Sequence, residues 1–199
     1  MRNTFLYGLF AALQWPFAVQ AQVNWVTADH VYSENINTVQ LYLSSSALSY
    51  PIIALNSNDA LQLSFDDLDA DVKDYYYTIQ LCNADWTPSN FNQFDFIRGF
   101  AENRITNYKY STIPLQHYTH YWASLPNKNC APTRSGNYLL KVYLNSDTSQ
   151  LVFTKRFLVV DNKVGVSGQI QQPVNPKTFR THQKVNFSIN TRRLKIGRA

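Results

Sequence analysis

The stretch SFDDLDADVKDYYYTIQLCNADW, residues 64–86, carries the pattern from which the fold is read. Just before and into it, Leu61, Leu63 and Phe65 alternate with Gln62 and Ser64; beyond the aspartates, Tyr75, Tyr77, Ile79 and Leu81 alternate with Tyr76, Thr78, Gln80 and Cys82. Successive side chains of a strand point to opposite faces, so each run has one apolar face and one mixed face. Joined through Asp66, Asp67, Asp69, Asp71 and Asp74, the two runs predict an antiparallel hairpin whose strands share one buried face.

Upstream, VQLYL at 39–43 repeats the alternation with Val39, Leu41 and Leu43 on one side. PIIAL at 51–55 suits an edge or entry strand, because a proline in first position gives up no ladder donor. Downstream, YKYSTI (108–113), YTHYWASL (118–125), SGNYLLKVYL (135–144) and LVFTKRFLVV (151–160) supply four more strands, the last interrupted by Thr154, Lys155 and Arg156. Short strands between turn signals, with no helical period, predict an all-β fold, an immunoglobulin-like or fibronectin-like antiparallel β-sandwich. Gly136-x-Tyr138-x-Leu140 has the form of a tyrosine corner. Residues 83–107 break the alternation and predict a long structured loop over one end of the sandwich.

The termini differ in character from the middle. Arg2, the apolar run from Phe5 to Leu13, and the small-x-small Val19-Gln20-Ala21 predict a signal peptide over 1–21, a mature chain from Gln22, and hence export. Residues 22–160 carry 9 Lys/Arg against 12 Asp/Glu, whereas 161–199 carry 8 against 1. The basicity of the chain belongs to its tail, and an exported chain has little occasion to meet nucleic acid, so none is expected as a partner. The boundaries that follow are a sandwich over 22–164 and, over 165–199, the truncated start of a second β domain. In that tail QKVNFSIN (183–190) alternates as a strand with nothing to cover it, and the tail beyond Gly165 is expected to be poorly ordered.

Two cysteines in an exported chain permit one disulfide. Pairing of the strand ending at Cys82 with the one starting near Gly136 brings Cys130 close, so a Cys82–Cys130 bridge is expected, two free thiols being the alternative.

Catalytic constellations are not found. Asp67-x-Asp69-x-Asp71 opens like a calcium loop, but Val72 stands where an EF-hand needs glycine and Thr78 where it needs glutamate. His117 and His120, three apart, point to opposite faces of a strand and do not converge on zinc. No nucleophile elbow or phosphate-cradling glycine loop is present, so no enzyme, cofactor, metal or small-molecule substrate is expected. Aromatic residues make up 15% of the chain, and Trp86, Phe91, Phe94 and Phe96, gathered in the irregular stretch, are the candidate partner surface. Such rings can also stack on sugars, which leaves a carbohydrate-binding sandwich as the alternative, or they can simply pack in a core.

The series FDDLDADVKDYYYTIQLCNADW, GFAENRITNYKYS, YTHYWASLPN, SGNYLLKVYL and TKRFLVV resembles, in order and spacing, the first domain of the plug proteins of the type IX secretion system of the Bacteroidetes, over about residues 25–165. The resemblance implies a periplasmic protein, peripheral to the outer membrane and not inserted in it, that binds the large outer-membrane β-barrel translocon and occludes its periplasmic opening without enzymatic activity. It also implies that a second, larger β domain follows the first.

Overall fold

The structure is a computed structural model that describes residues 27–112 and 115–191. The signal-peptide segment, the start of the mature chain at Gln22, the end of the 108–113 strand at Ile113 and the terminal RRLKIGRA lie outside the described residues.

Two antiparallel sheets face each other. The first contains β2 (Ile36–Leu43), β4 (Leu61–Asp67), β9 (Thr119–Leu125) and β8 (Asn107–Tyr110), in the spatial order β2-β4-β9-β8. The second runs β1 (His30–Val31), β12 (Leu151–Val160), β11 (Gly136–Leu144), β5 (Tyr75–Cys82) and β7 (Asn103–Arg104), with β3 (Ile52–Ala54) added parallel to β12. The inner faces hold the residues that alternation selected: Leu61, Leu63 and Phe65 on β4, Tyr75, Tyr77, Ile79 and Leu81 on β5, and Tyr138, Leu140 and Val142 on β11. Aromatic rings fill the centre, Phe65 lying stacked on Tyr121 at 5.2 Å and meeting Tyr75 and Phe153 edge-on at 5.0 and 5.1 Å. The architecture is the all-β sandwich that the strand spacing indicates.

One expectation is corrected. β4 and β5 do not form a hairpin: β4 pairs with β2 and β9, β5 with β11 and β7. The aspartate segment carries the chain across from one sheet to the other, so the two strands share a core by facing each other. Period-two alternation specifies an apolar face and is silent on whether two such faces lie side by side or opposed.

The tyrosine corner is present. Tyr138 is buried, and its hydroxyl donates to the Arg134 carbonyl at 2.9 Å, tying β11 to the turn before it. The polar interruption of β12 is met by the N-terminal segment: Thr154 Oγ1 donates to the Ala28 carbonyl (2.7 Å), Lys155 pairs with Asp29 (2.8 Å), and Arg156 Nε donates to the Thr27 carbonyl (2.6 Å).

The tail is a two-stranded hairpin, β13 (Gly165–Gln171) with β14 (Lys184–Asn190), the latter within the alternating run 183–190. Every residue of both strands is exposed.

Candidate partner surface

The stretch after β5 is built by local capping. Trp86 N–H donates to the Asn83 carbonyl at 3.0 Å, and Asp85 accepts from the backbone and hydroxyl of Thr87, closing a tight turn. Trp86 takes a left-handed φ of 68°, uncommon for a bulky residue, and its indole lies against the Arg156 guanidinium, 4.2 Å from the ring centroid. One helical turn follows, α1 (Gln93–Phe96), whose N-cap Asn92 accepts from Phe94 N–H while Asp95 accepts from Asn92 N–H. Two residues apart on this turn, Phe94 and Phe96 fall on opposite sides: Phe94 is 80% exposed and Phe96 1%. Gln93 reaches Thr78 Oγ1 on the outer face of β5 (2.9 Å), so part of the excursion lies against that face.

After α1, β6 (Ile97–Gly99) pairs with β10 (Cys130–Pro132). Gly99 has a φ of 106°, and a Cβ there would sit 2.2 Å from the Asn129 carbonyl oxygen, so only glycine permits the approach.

The four candidate aromatic residues therefore separate. Phe96 belongs to the core, edge-on to Tyr138, and is withdrawn from the surface. Trp86 is engaged by Arg156. Phe91 and Phe94 remain exposed, the former beneath the Arg134 guanidinium at 4.7 Å. Alternation did not single out Phe100, Tyr108 and Tyr110, which are also exposed; Phe100 lies in the aperiodic stretch 83–107, and the exposure of the two tyrosines follows from the edge position of β8, which no local pattern reveals.

The expected disulfide is likewise corrected. Cys82 and Cys130 are both free and buried. The register Asn137↔Cys82 does place the end of β5 beside the start of β11, as expected. However, Cys82 lies on the outer face, alternating with inward Leu81, whereas Cys130 is part of the inner core, so the sheet intervenes. Burial raises both thiols, Cys130 to about 11, which keeps them protonated and unreactive at neutral pH.

The aspartate segment resolves into a closed polar cluster. The carboxylate of Asp67, buried on the inner face, accepts from Tyr75 OH (2.7 Å), Lys73 Nζ (2.9 Å) and Asp69 N–H (3.0 Å). Lys73 also contacts Asp69 and lies 3.4 Å from Asp71. Its ammonium thus occupies the centre of the three carboxylates whose spacing resembles a calcium loop, and their charge holds it above its ordinary range although burial opposes this. Of the two histidines, His117 is exposed and His120 Nδ1 meets Asp66 at 2.6 Å on the outer face of β9. An open cleft of about 450 Å³ between β1 and β2 has Asp29 and Lys155 on its wall, already paired with each other.

These features define a β-sandwich in which Lys73 and Lys155 are paired with neighbouring aspartates while Phe91, Phe94 and Phe100 are exposed. A family model described as the type 9 secretion system plug protein first domain matches residues 36–161, and the chain belongs to that family. A solved structure of a hypothetical protein from Parabacteroides merdae ATCC 43184 is similar at 31% identity with a TM-score of 0.77, over 83% of this chain and 42% of that one. The chain therefore spans less than half the length of that relative. An alkylpurine DNA glycosylase, AlkC, from Pseudomonas fluorescens aligns at 10% identity and a TM-score of 0.31 over 63% of this chain and 30% of that one, too low to bear on fold or function. No curated protein matches.

Proposed function

We propose that this chain is a non-enzymatic periplasmic component of the type IX secretion system. It binds the outer-membrane translocon barrel and closes the barrel's periplasmic opening by steric occlusion. The family match over residues 36–161 carries this reading. The geometry is compatible with it: the clustered carboxylates of Asp67, Asp69 and Asp71 are bridged by Lys73, and exposed Phe91, Phe94 and Phe100 offer rigid apolar contact area. Residues 165–199 open a second β domain, in keeping with the greater length of the Parabacteroides merdae chain and with the wholly exposed apolar side of β13 and β14. The test is affinity capture from solubilised outer membrane. Recovery of one very large barrel protein, lost when Phe94 and Phe100 are changed to serine, supports the proposal. Retention on polysaccharide with no barrel recovered would replace it with carbohydrate binding.

A further inference from the structure

We propose that β8 is a docking edge for an extended segment of another polypeptide, one bearing an acidic residue between two apolar ones. β8 is the last strand of its sheet, and all four of its residues are exposed. Ser111 N–H donates to the Tyr118 carbonyl, which makes 111/118 a hydrogen-bonded pair. Bonded and non-bonded pairs alternate along an antiparallel ladder, so Asn107 and Lys109 bond to β9 while the N–H and C=O groups of Tyr108 and Tyr110 point away from it. These groups have no other backbone or side-chain partner among the described residues.

Within the two facing sheets the other edges offer less to such an addition. β7 is two residues long. β2 is broken by a register shift between Asn37 and Gln40, with Thr38 at a φ of 50°. β12 is covered by β1 and β3. β8 keeps an unbroken register over all four of its residues, from Asn107↔Trp122 to Tyr110↔Thr119.

Side chains on the two faces of β8 select the occupant. Tyr108 and Tyr110 stand opposite buried Tyr121 and Thr119, so their rings continue the inner aromatic face outward, yet they remain 43% and 52% exposed. Their centroids lie 5.9 Å apart, and Tyr108 lies 5.9 Å from Tyr121. A further strand would cover both rings with apolar residues opposite them. Lys109 faces outward opposite His120, which is engaged by Asp66, and Lys109 forms no ion pair among the described residues. In the antiparallel self-pairing that engages the outward groups of both Tyr108 and Tyr110, Lys109 would stand across from Lys109, so that pairing is disfavoured and an acidic residue is favoured. This proposal does not rest on the secretion reading, and either can fail without the other.

The test uses the isotope-labelled full chain and a capped seven-residue peptide centred on Val-Glu-Val, followed by amide NMR. Saturable shifts and slowed hydrogen exchange are expected at Tyr108 and Tyr110. Binding should weaken about tenfold or more with a Val-Lys-Val centre or with N-methylated valines, and Lys109→Glu should reverse the charge preference. Tyr110→Pro should abolish binding while the melting temperature holds, since that N–H takes no part in the pairing with β9. Unperturbed Tyr108 and Tyr110 amides at millimolar peptide, indifference to the central charge, or self-association through β8 in sedimentation equilibrium would overturn the proposal.

Discussion

LQLSFDD in β4 and KVNFSIN in β14 are written with the same alternation, and the molecule treats them in opposite ways. On β4 the inward residues Leu61, Leu63, Phe65 and Asp67 are all buried, whereas on β14 Val185, Phe187 and Ile189 are all exposed. On the partner strand β13, Val166 and Ile170 fall on the same side as these three, through the pairs Val166↔Ile189 and Ile170↔Val185. Both segments are therefore correct strands with a correct apolar face. A second layer makes the difference, since a two-stranded ribbon has no interior until another sheet covers it.

The largest effect that can break this comparison is cavity formation. Leu63→Ala should cost about 2–5 kcal/mol in denaturant unfolding, because Leu63 is wholly buried between the sheets. A cost below about 1 kcal/mol would mean that β4 is no better covered than β14.

Next is Asp67→Ala. A carboxylate with no exposed surface, holding a tyrosine hydroxyl and a lysine, is expected to destabilise by about 3 kcal/mol when removed, because its partners lose their acceptor. Lys73 retains Asp69 and Asp71, which places the effect at the lower end for a broken buried pair.

How far this contrast was legible in the sequence follows from particular residues. The inward positions of β4, β5 and β11 and the corner at Tyr138 could be read off, because period two and a Gly-x-Tyr spacing are local properties. The sheet assignment of β4 and β5 could not, since it depends on the aspartate segment crossing the core rather than turning back. The cysteines failed for a related reason: Asn137↔Cys82 was inferable from the order of strands, but the face on which Cys130 lies is set by β10 pairing with β6, in the aperiodic stretch. At the candidate surface, the spacing of Phe94 and Phe96 became informative only once α1 was known to be helical. Tyr108 and Tyr110 look like ordinary strand residues until β8 is known to be an edge.

The pH response offers a smaller test, since burial perturbs groups within the sandwich. Lys141 stands on the outer face of β11 between Thr78 and Thr154, and burial pushes its ammonium down to about 8. Between about pH 8 and 10.5 the folded chain then binds fewer protons than the unfolded one, so this group makes the fold more stable as pH rises through that window. Burial raises Tyr77 and Tyr138 to about 12, so their contribution is complete below pH 10 and is lost as pH climbs from 10 toward 12. Burial of Cys130, raised from 9 to about 11, acts in the opposite sense above pH 9, so thermal unfolding should show a rise between about pH 8 and 9 and a fall above pH 10. Lys141→Met should remove the rise, keep the fall, and stabilise the protein at pH 7 by about 1–2 kcal/mol after discounting for partial exposure.

The smallest expected change is also the one that sharpens the comparison most. Phe187→Ser removes the largest apolar side chain from the exposed side of β14, where it stands opposite Gly168 and is 70% exposed. With no layer above it, the ring gains little from folding, so the unfolding free energy of the sandwich should stay within about 0.5 kcal/mol. Limited trypsin treatment should remove the tail of wild type and variant alike, leaving a resistant core that ends near Asp161, because Lys163 is exposed and β13 and β14 bury nothing. Were a second layer to cover this side in a longer chain, the same substitution there should cost what a buried phenylalanine costs, about 3–5 kcal/mol. A large loss in the present chain would show instead that the hairpin already packs against the sandwich. β14 would then be a hidden part of the first domain rather than the beginning of another.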